Sequence, residues 1–166
     1  MKRIDRPLPT PQSRRTILFA GAGVHAASAA SVVPAWAAPA SDKKITVYKT
    51  PTCGCCSAWV EHLTAAGFDA QIIDRPDLTP MRARFGAPEA LRSCHFAIIR
   101  RYIVEGHVPA ASINKLLSDA PDAVGIFVPG MPLGSPGMEG PYGSQPYDVI
   151  LLRENGDREV FDRYEA

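Results

Sequence analysis

No excess of either charge, no uninterrupted apolar run of membrane-spanning length and no phosphate-cradling glycine loop occurs in this 166-residue sequence. Lys and Arg number 18 against 17 Asp and Glu, a net charge of +1. The basic face that nucleic acid or an anionic membrane surface would require is therefore missing. Paired carboxylates and a nucleophile beside a base are not discernible either, and Glu61, Asp69 and Asp74 read as solvated charges. The acid–base and acyl-transfer chemistries that depend on such groups lose their support.

What is present begins with an export pattern. Met1 to Gln12 is polar, Ser13-Arg14-Arg15-Thr16 follows, and a weakly apolar Ala/Gly-rich run extends from Ile17 to Val33. That order predicts a twin-arginine signal peptide over residues 1–37, with Ala35 and Ala37 as the small residues of the cleavage site. A membrane anchor is the alternative, but Gly21, Gly23, His25, Ser28 and Ser31 suit the run poorly to hydrocarbon. The expected location is periplasmic, with no stable membrane anchor after cleavage. Removing the leader takes the net charge from +1 to about −3 and leaves residues 38–166, long enough for one domain with a real core.

Four cysteines, Cys53, Cys55, Cys56 and Cys94, carry the chemistry. In an exported chain they would ordinarily make two disulfides, and a Cys53–Cys56 bond with Cys55 and Cys94 paired or idle is one reading. A domain of this length does not need such staples. Cys55 lies inside the C-x-x-C formed by Cys53 and Cys56, so a third sulfur always competes for the pair.

The surrounding pattern predicts an α/β domain. Ile45 to Tyr48 reads as a strand running into a cysteine loop, Ser57 to Ala66 as a helix stopped by Gly67, and Phe68 to Asp74 as a second strand. A short helix around Met81 to Phe85, a turn at Ala87 to Leu91, a hairpin of Phe96–Ile99 and Tyr102–Glu105, and a helix from Pro109 to Ser118 follow. The order β-α-β-α-β-β-α is that of a thioredoxin-like core. Pro121 to Val128 adds a short strand, and Pro129 to Pro146 is too rich in Gly and Pro for a helix or central strand. That loop repeats Pro-Gly-Met at residues 129–131 and 136–138. Tyr147–Leu152 and Arg158–Phe161 close the chain as a hairpin turning at Glu154 to Asp157.

This topology brings the loop after the first strand beside the loop before the third, so Cys94 converges on the other cysteines. A helix opening at the cysteine loop favours thiolate, which is both metal ligand and redox nucleophile. Softness favours copper(I) over zinc. Charge agrees: four thiolates on one zinc ion leave −2, whereas four thiolates bridging four copper(I) ions are neutral and cheaper to bury. Adjacent Cys55 and Cys56 are expected to diverge, which suits a multinuclear centre. Met131 and Met138 are candidate thioether ligands or a cover for the site. His95 is a candidate ligand or a surface group, His107 shapes a turn, and His62 lies on an exposed helix face. Trp59 and Met81 read as core.

Thr50-Pro51-Thr52-Cys53-Gly54-Cys55-Cys56 with Trp59, Ser93-Cys94-His95, Glu105-Gly106-His107-Val108-Pro109 and Val128-Pro129-Gly130-Met131-Pro132 through Gly134-Ser135-Pro136-Gly137-Met138-Glu139 form a specific combination. It closely resembles the CopG-like periplasmic copper-resistance proteins, long catalogued as a domain of unknown function, over about Ile45 to Val160. The resemblance implies a thioredoxin-like fold in which Cys53, Cys55, Cys56 and Cys94 bind a cysteine-bridged copper cluster for sequestration, transfer or redox cycling, in contact with other periplasmic copper-handling proteins. Phe96 and Arg100-Arg101 depart from the small polar residue and glycine-rich turn expected there. A thiol–disulfide oxidoreductase using Cys53 and Cys56 is the rival, weakened by the lack of proline between Leu91 and Val108. An iron–sulfur carrier fits an oxidising compartment poorly.

Overall fold

A computed structural model describes residues 43–166, so the twin-arginine leader expected over residues 1–37 lies outside the described residues. The fold is mixed α/β: one seven-stranded sheet and three α-helices among those residues. Strand β1 (Lys44–Lys49) leads through the cysteine turn into helix α1 (Gly54–Ala65) and strand β2 (Asp69–Asp74). Helix α2 (Thr79–Phe85) and a 3-10 turn (Glu89–Leu91) precede the hairpin of β3 (Phe96–Ile99) and β4 (Tyr102–Glu105). Helix α3 (Ala110–Asp119), strand β5 (Gly125–Phe127) and the hairpin of β6 (Tyr147–Leu152) and β7 (Arg158–Tyr164) complete it.

The sheet order is β2-β1-β3-β4-β5-β6-β7. β1 pairs parallel with β2 and antiparallel with β3, while β4 pairs antiparallel with β3 and parallel with β5. Ile45, Val47, Ala97, Ile99 and Val104 bury one face against Trp59, Leu63, Ile113 and Leu116 of the helices. Phe96, Ile103, Phe127 and Leu152 bury the other with Leu78 and Leu91, and Met81 packs there as expected. A core on both faces removes apolar area from water at about 25 cal/mol per Å² and makes the sheet a rigid mount.

Several boundaries differ from those read in the sequence. α1 begins at Gly54, not Ser57, so Cys55 and Cys56 belong to its first turn and Cys53 is its N-cap. Glycine and cysteine have modest helix propensity, but packing of Trp59 and Leu63 overrides it. α3 starts one residue after Pro109 because Pro109 is extended. The N–H of Ala110 is capped from outside by His62 Nε2 at 3.0 Å. His62 is thus a half-buried link between α1 and α3, not an exposed group. β7 continues to Tyr164, whose ring stacks on Tyr147 at 5.1 Å. In the β3–β4 turn Arg100 has φ +51, the left-handed conformation a glycine would adopt more freely.

Candidate metal centre

Sheet pairing assembles the site. Tyr48 at the end of β1 pairs with Phe96 at the start of β3, which pairs with Glu105 at the end of β4. The segments just beyond these residues therefore meet at one end of the sheet: the turn at 50–53, Ser93-Cys94-His95 and Gly106-His107. The turn is closed by the Cys53 N–H donating to the Thr50 carbonyl at 3.2 Å, and α1 follows with no acidic residue in its first turn.

All four sulfurs lie within 4.8 Å of one another. Cys53 and Cys56 form a disulfide with Cα atoms 5.4 Å apart, while Cys55 and Cys94 are free. Cys55 Sγ lies 3.6 Å from Cys53 Sγ and 3.8 Å from Cys94 Sγ, and Cys56 Sγ is 3.5 Å from Cys94 Sγ. Cys55 and Cys56 do not diverge as their adjacency implied, because Cys94 sits across the helix end where both reach it. Sulfurs bound tetrahedrally to one metal at about 2.3 Å stand about 3.8 Å apart, so these separations suit metal–thiolate ligation.

Cys94 differs from a dipole-activated thiol. It stands at the head of a strand, and burial first, then the neighbouring Cys55, pushes its pKa up to about 12. Metal-free, it is a thiol at neutral pH, and a metal ion must displace its proton. Two imidazoles face its sulfur: His95 Nδ1 and His107 Nε2, each at 3.3 Å. Both rings are fully buried, so the surface role open to His95 is corrected. His95 packs on Trp59 with ring centroids 4.3 Å apart, and its Nε2 is buried with no hydrogen-bond partner. His107 donates from Nδ1 to the Pro136 carbonyl at 2.8 Å. Burial above all holds both imidazoles below their ordinary range, His95 far below.

A buried ion pair fixes the Cys94 segment. Arg82 Nη2 meets Glu105 Oε1 at 2.8 Å and donates to the Ser93 carbonyl at 2.8 Å. Glu105 Oε1 in turn accepts the Ser93 N–H at 2.8 Å. Burial pushes the Glu105 carboxyl up, opposed by these two donors. The residue before Cys94 is thus held on both its backbone groups by one pair.

The Gly/Pro loop covers the assembly. Ser93 Oγ donates to the Gly130 carbonyl, and the Gly130 N–H donates to the Arg92 carbonyl at 3.1 Å. Gly137, at φ +83, packs so closely that a Cβ there would stand 2.7 Å from the Cys55 carbonyl oxygen and 2.7 Å from Trp59 N. Met131, next to the Gly130 contact, is 51 % exposed, while Met138 lines a cavity of about 320 Å³ with Leu133 and Tyr142. The structure therefore gathers the four cysteines, His95 and His107. Met131 and Met138 both lie in the Gly/Pro loop that packs over them.

His107 escaped the sequence reading although a signal for it existed. Extending the β3–β4 register of Phe96 with Glu105 by two residues places His107 opposite Cys94.

Residues 91–138 match a family model described as "Protein of unknown function, DUF411", a span that holds Cys94, His95, His107 and both Pro-Gly-Met repeats. No curated protein matches the chain. Two solved structures of "Copper resistance protein copG", Form 1 and Form 2, superpose with a TM-score of 0.70 each, at 41 % and 42 % identity. They cover 74 % and 73 % of this chain, and 98 % and 97 % of their own.

Proposed function

The chain belongs to the CopG copper-resistance family, and on that premise we propose that it is a periplasmic copper(I)-binding protein whose Cys53, Cys55, Cys56 and Cys94 hold a cysteine-bridged, multinuclear copper cluster. The observation that carries the proposal is the meeting of four sulfurs within 4.8 Å at one end of the sheet. Thiolate softness and the neutrality of equal numbers of thiolates and copper(I) ions favour this metal. Use of all four sulfurs requires a thiol reductant to open the Cys53–Cys56 bond, two electrons and two protons giving two thiols. Each thiol then releases its proton as copper enters.

The thioredoxin-like assignment is supported by the order β2-β1-β3-β4 with a parallel β1–β2 pair and a helix between them. The export assignment is supported by Ser13-Arg14-Arg15 and the apolar run behind it. Among the described residues no helix is long and apolar enough to cross a membrane. Periplasmic copper-handling proteins are the fitting partners. Anaerobic titration of the reduced mature chain with copper(I) tests the proposal: more than one copper per chain with thiolate-to-metal absorption is expected. Zero copper, or displacement by equimolar zinc, overturns it.

The Cys53–Cys56 disulfide favours a second reading, a thiol–disulfide oxidoreductase. Insulin reduction by metal-free protein distinguishes the two, since turnover surviving both Cys55→Ser and Cys94→Ser belongs to the enzyme.

A further inference from the structure

The two imidazoles at Cys94 go beyond a four-cysteine centre. Cys94 Sγ, a ring nitrogen of His95 and a ring nitrogen of His107 all lie within 4.8 Å of one another, and both imidazoles are buried. A metal bound tetrahedrally with a metal–sulfur bond of about 2.3 Å and metal–nitrogen bonds of about 2.0–2.1 Å sets sulfur and nitrogen about 3.5 Å apart. The two observed separations are 3.3 Å, close to that spacing before any ion is bound.

The tautomer of His107 is assigned by its surroundings. With Nδ1–H donated to the Pro136 carbonyl, Nε2 carries a free lone pair directed at the Cys94 sulfur. A ligating histidine whose other nitrogen donates to a backbone carbonyl is the arrangement that orients imidazoles at metal sites. Gly106 makes this placement possible: at φ +78 it turns the chain, and a Cβ there would stand 2.8 Å from Ser93 Cβ. His95 Nδ1 faces the same sulfur, while its buried Nε2 has no hydrogen-bond partner.

We propose that Cys94, His95 and His107 form a second metal site, one thiolate with two imidazoles, which takes a single transition-metal ion and stays competent while Cys53 and Cys56 are joined. Cys94 is then shared: it faces three sulfurs on one hand and two nitrogens on the other. Opening or closing the Cys53–Cys56 bond sets whether the chain presents four thiolates or only this mixed set. One thiolate with copper(I) is neutral, which suits a buried position. Two nitrogens and one thiolate also accommodate copper(II), zinc and cobalt(II).

The site is tested on the mature chain in its disulfide form, verified by two free thiols per chain, titrated anaerobically with cobalt(II). The expected result is about one cobalt per chain, with sulfur-to-cobalt charge transfer and the visible bands of a four-coordinate ion. His107→Ala should weaken binding at least about tenfold. Cys94→Ser, a near-isosteric change that guards against a folding defect in the histidine variant, should abolish the charge transfer. No cobalt binding, or binding untouched by both substitutions, overturns the site. The copper(I) titration of the reduced chain is read separately, so loss of the cluster with cobalt binding retained rejects only the four-cysteine proposal, and the reverse rejects only this one.

Discussion

The two halves of the site are built on different principles. Cys53, Cys55 and Cys56 are neighbours in sequence, mounted on the N-terminus of α1 and partly open to solvent, apart from buried Cys56. Cys94, His95 and His107 are brought together by strand pairing, the two histidines buried and Cys94 partly so, and are fixed by the Arg82–Glu105 pair. The first half can change its bonding, closing a disulfide, with little demand on the core. The second half is preorganised, so its ligands lose little freedom when a metal arrives.

The largest expected break in that contrast is Glu105→Gln. It leaves Arg82 buried without its charge partner and sets an amide NH2 where a carboxylate oxygen accepted from the guanidinium, and should cost about 3–5 kcal/mol in urea unfolding. Glu61→Gln, on the exposed face of α1 behind the cysteines, should stay within about 0.5 kcal/mol. Equal effects would remove the distinction between a clamped and an open half. Gly137→Ala is expected to come next, at about 1–3 kcal/mol, because its Cβ strikes the Cys55 carbonyl and the Trp59 backbone from a left-handed φ. Reduced Gly137→Ala should also lose its metal faster, measured by transfer to a chelator, since the cover no longer seats on α1.

Cys55→Ser should lower copper capacity in the reduced chain while changing stability by less than about 1 kcal/mol, as Cys55 is only partly buried. A smaller effect concerns pH. Burial lowers the His62 pKa from 6.5, so the unfolded chain takes up its proton first as pH falls. The stability contributed by neutral His62 is complete above about 6.5 and declines through the folded value below it. His62→Gln should flatten that part of the profile of urea midpoint against pH, and an unchanged slope would contradict the cap to Ala110.

How much of this was legible follows the same division. Cys53 to Cys56 announce themselves by spacing, and Cys94 follows once the strand order is known. The core pattern of Ile45, Val47, Ala97 and Ile99 gave the strands because side chains alternate between two buried faces. His107 was missed because a histidine in a turn has many uses, and only the hairpin register sets it against Cys94. The start of α1 was misplaced because burial of Trp59 and Leu63 holds helix where Gly54 and the cysteines have weak local preference. The Arg82–Glu105 clamp joins residues 23 apart, and no local pattern distinguishes that pair from solvated charges.

X-ray absorption at the copper edge of the reduced, copper(I)-loaded chain shows whether the four sulfurs bridge several copper ions. The expected spectrum shows sulfur scatterers and short copper–copper distances, both diminished in Cys94→Ser. A spectrum with nitrogen or oxygen scatterers alone and no copper–copper distance contradicts the four-cysteine cluster.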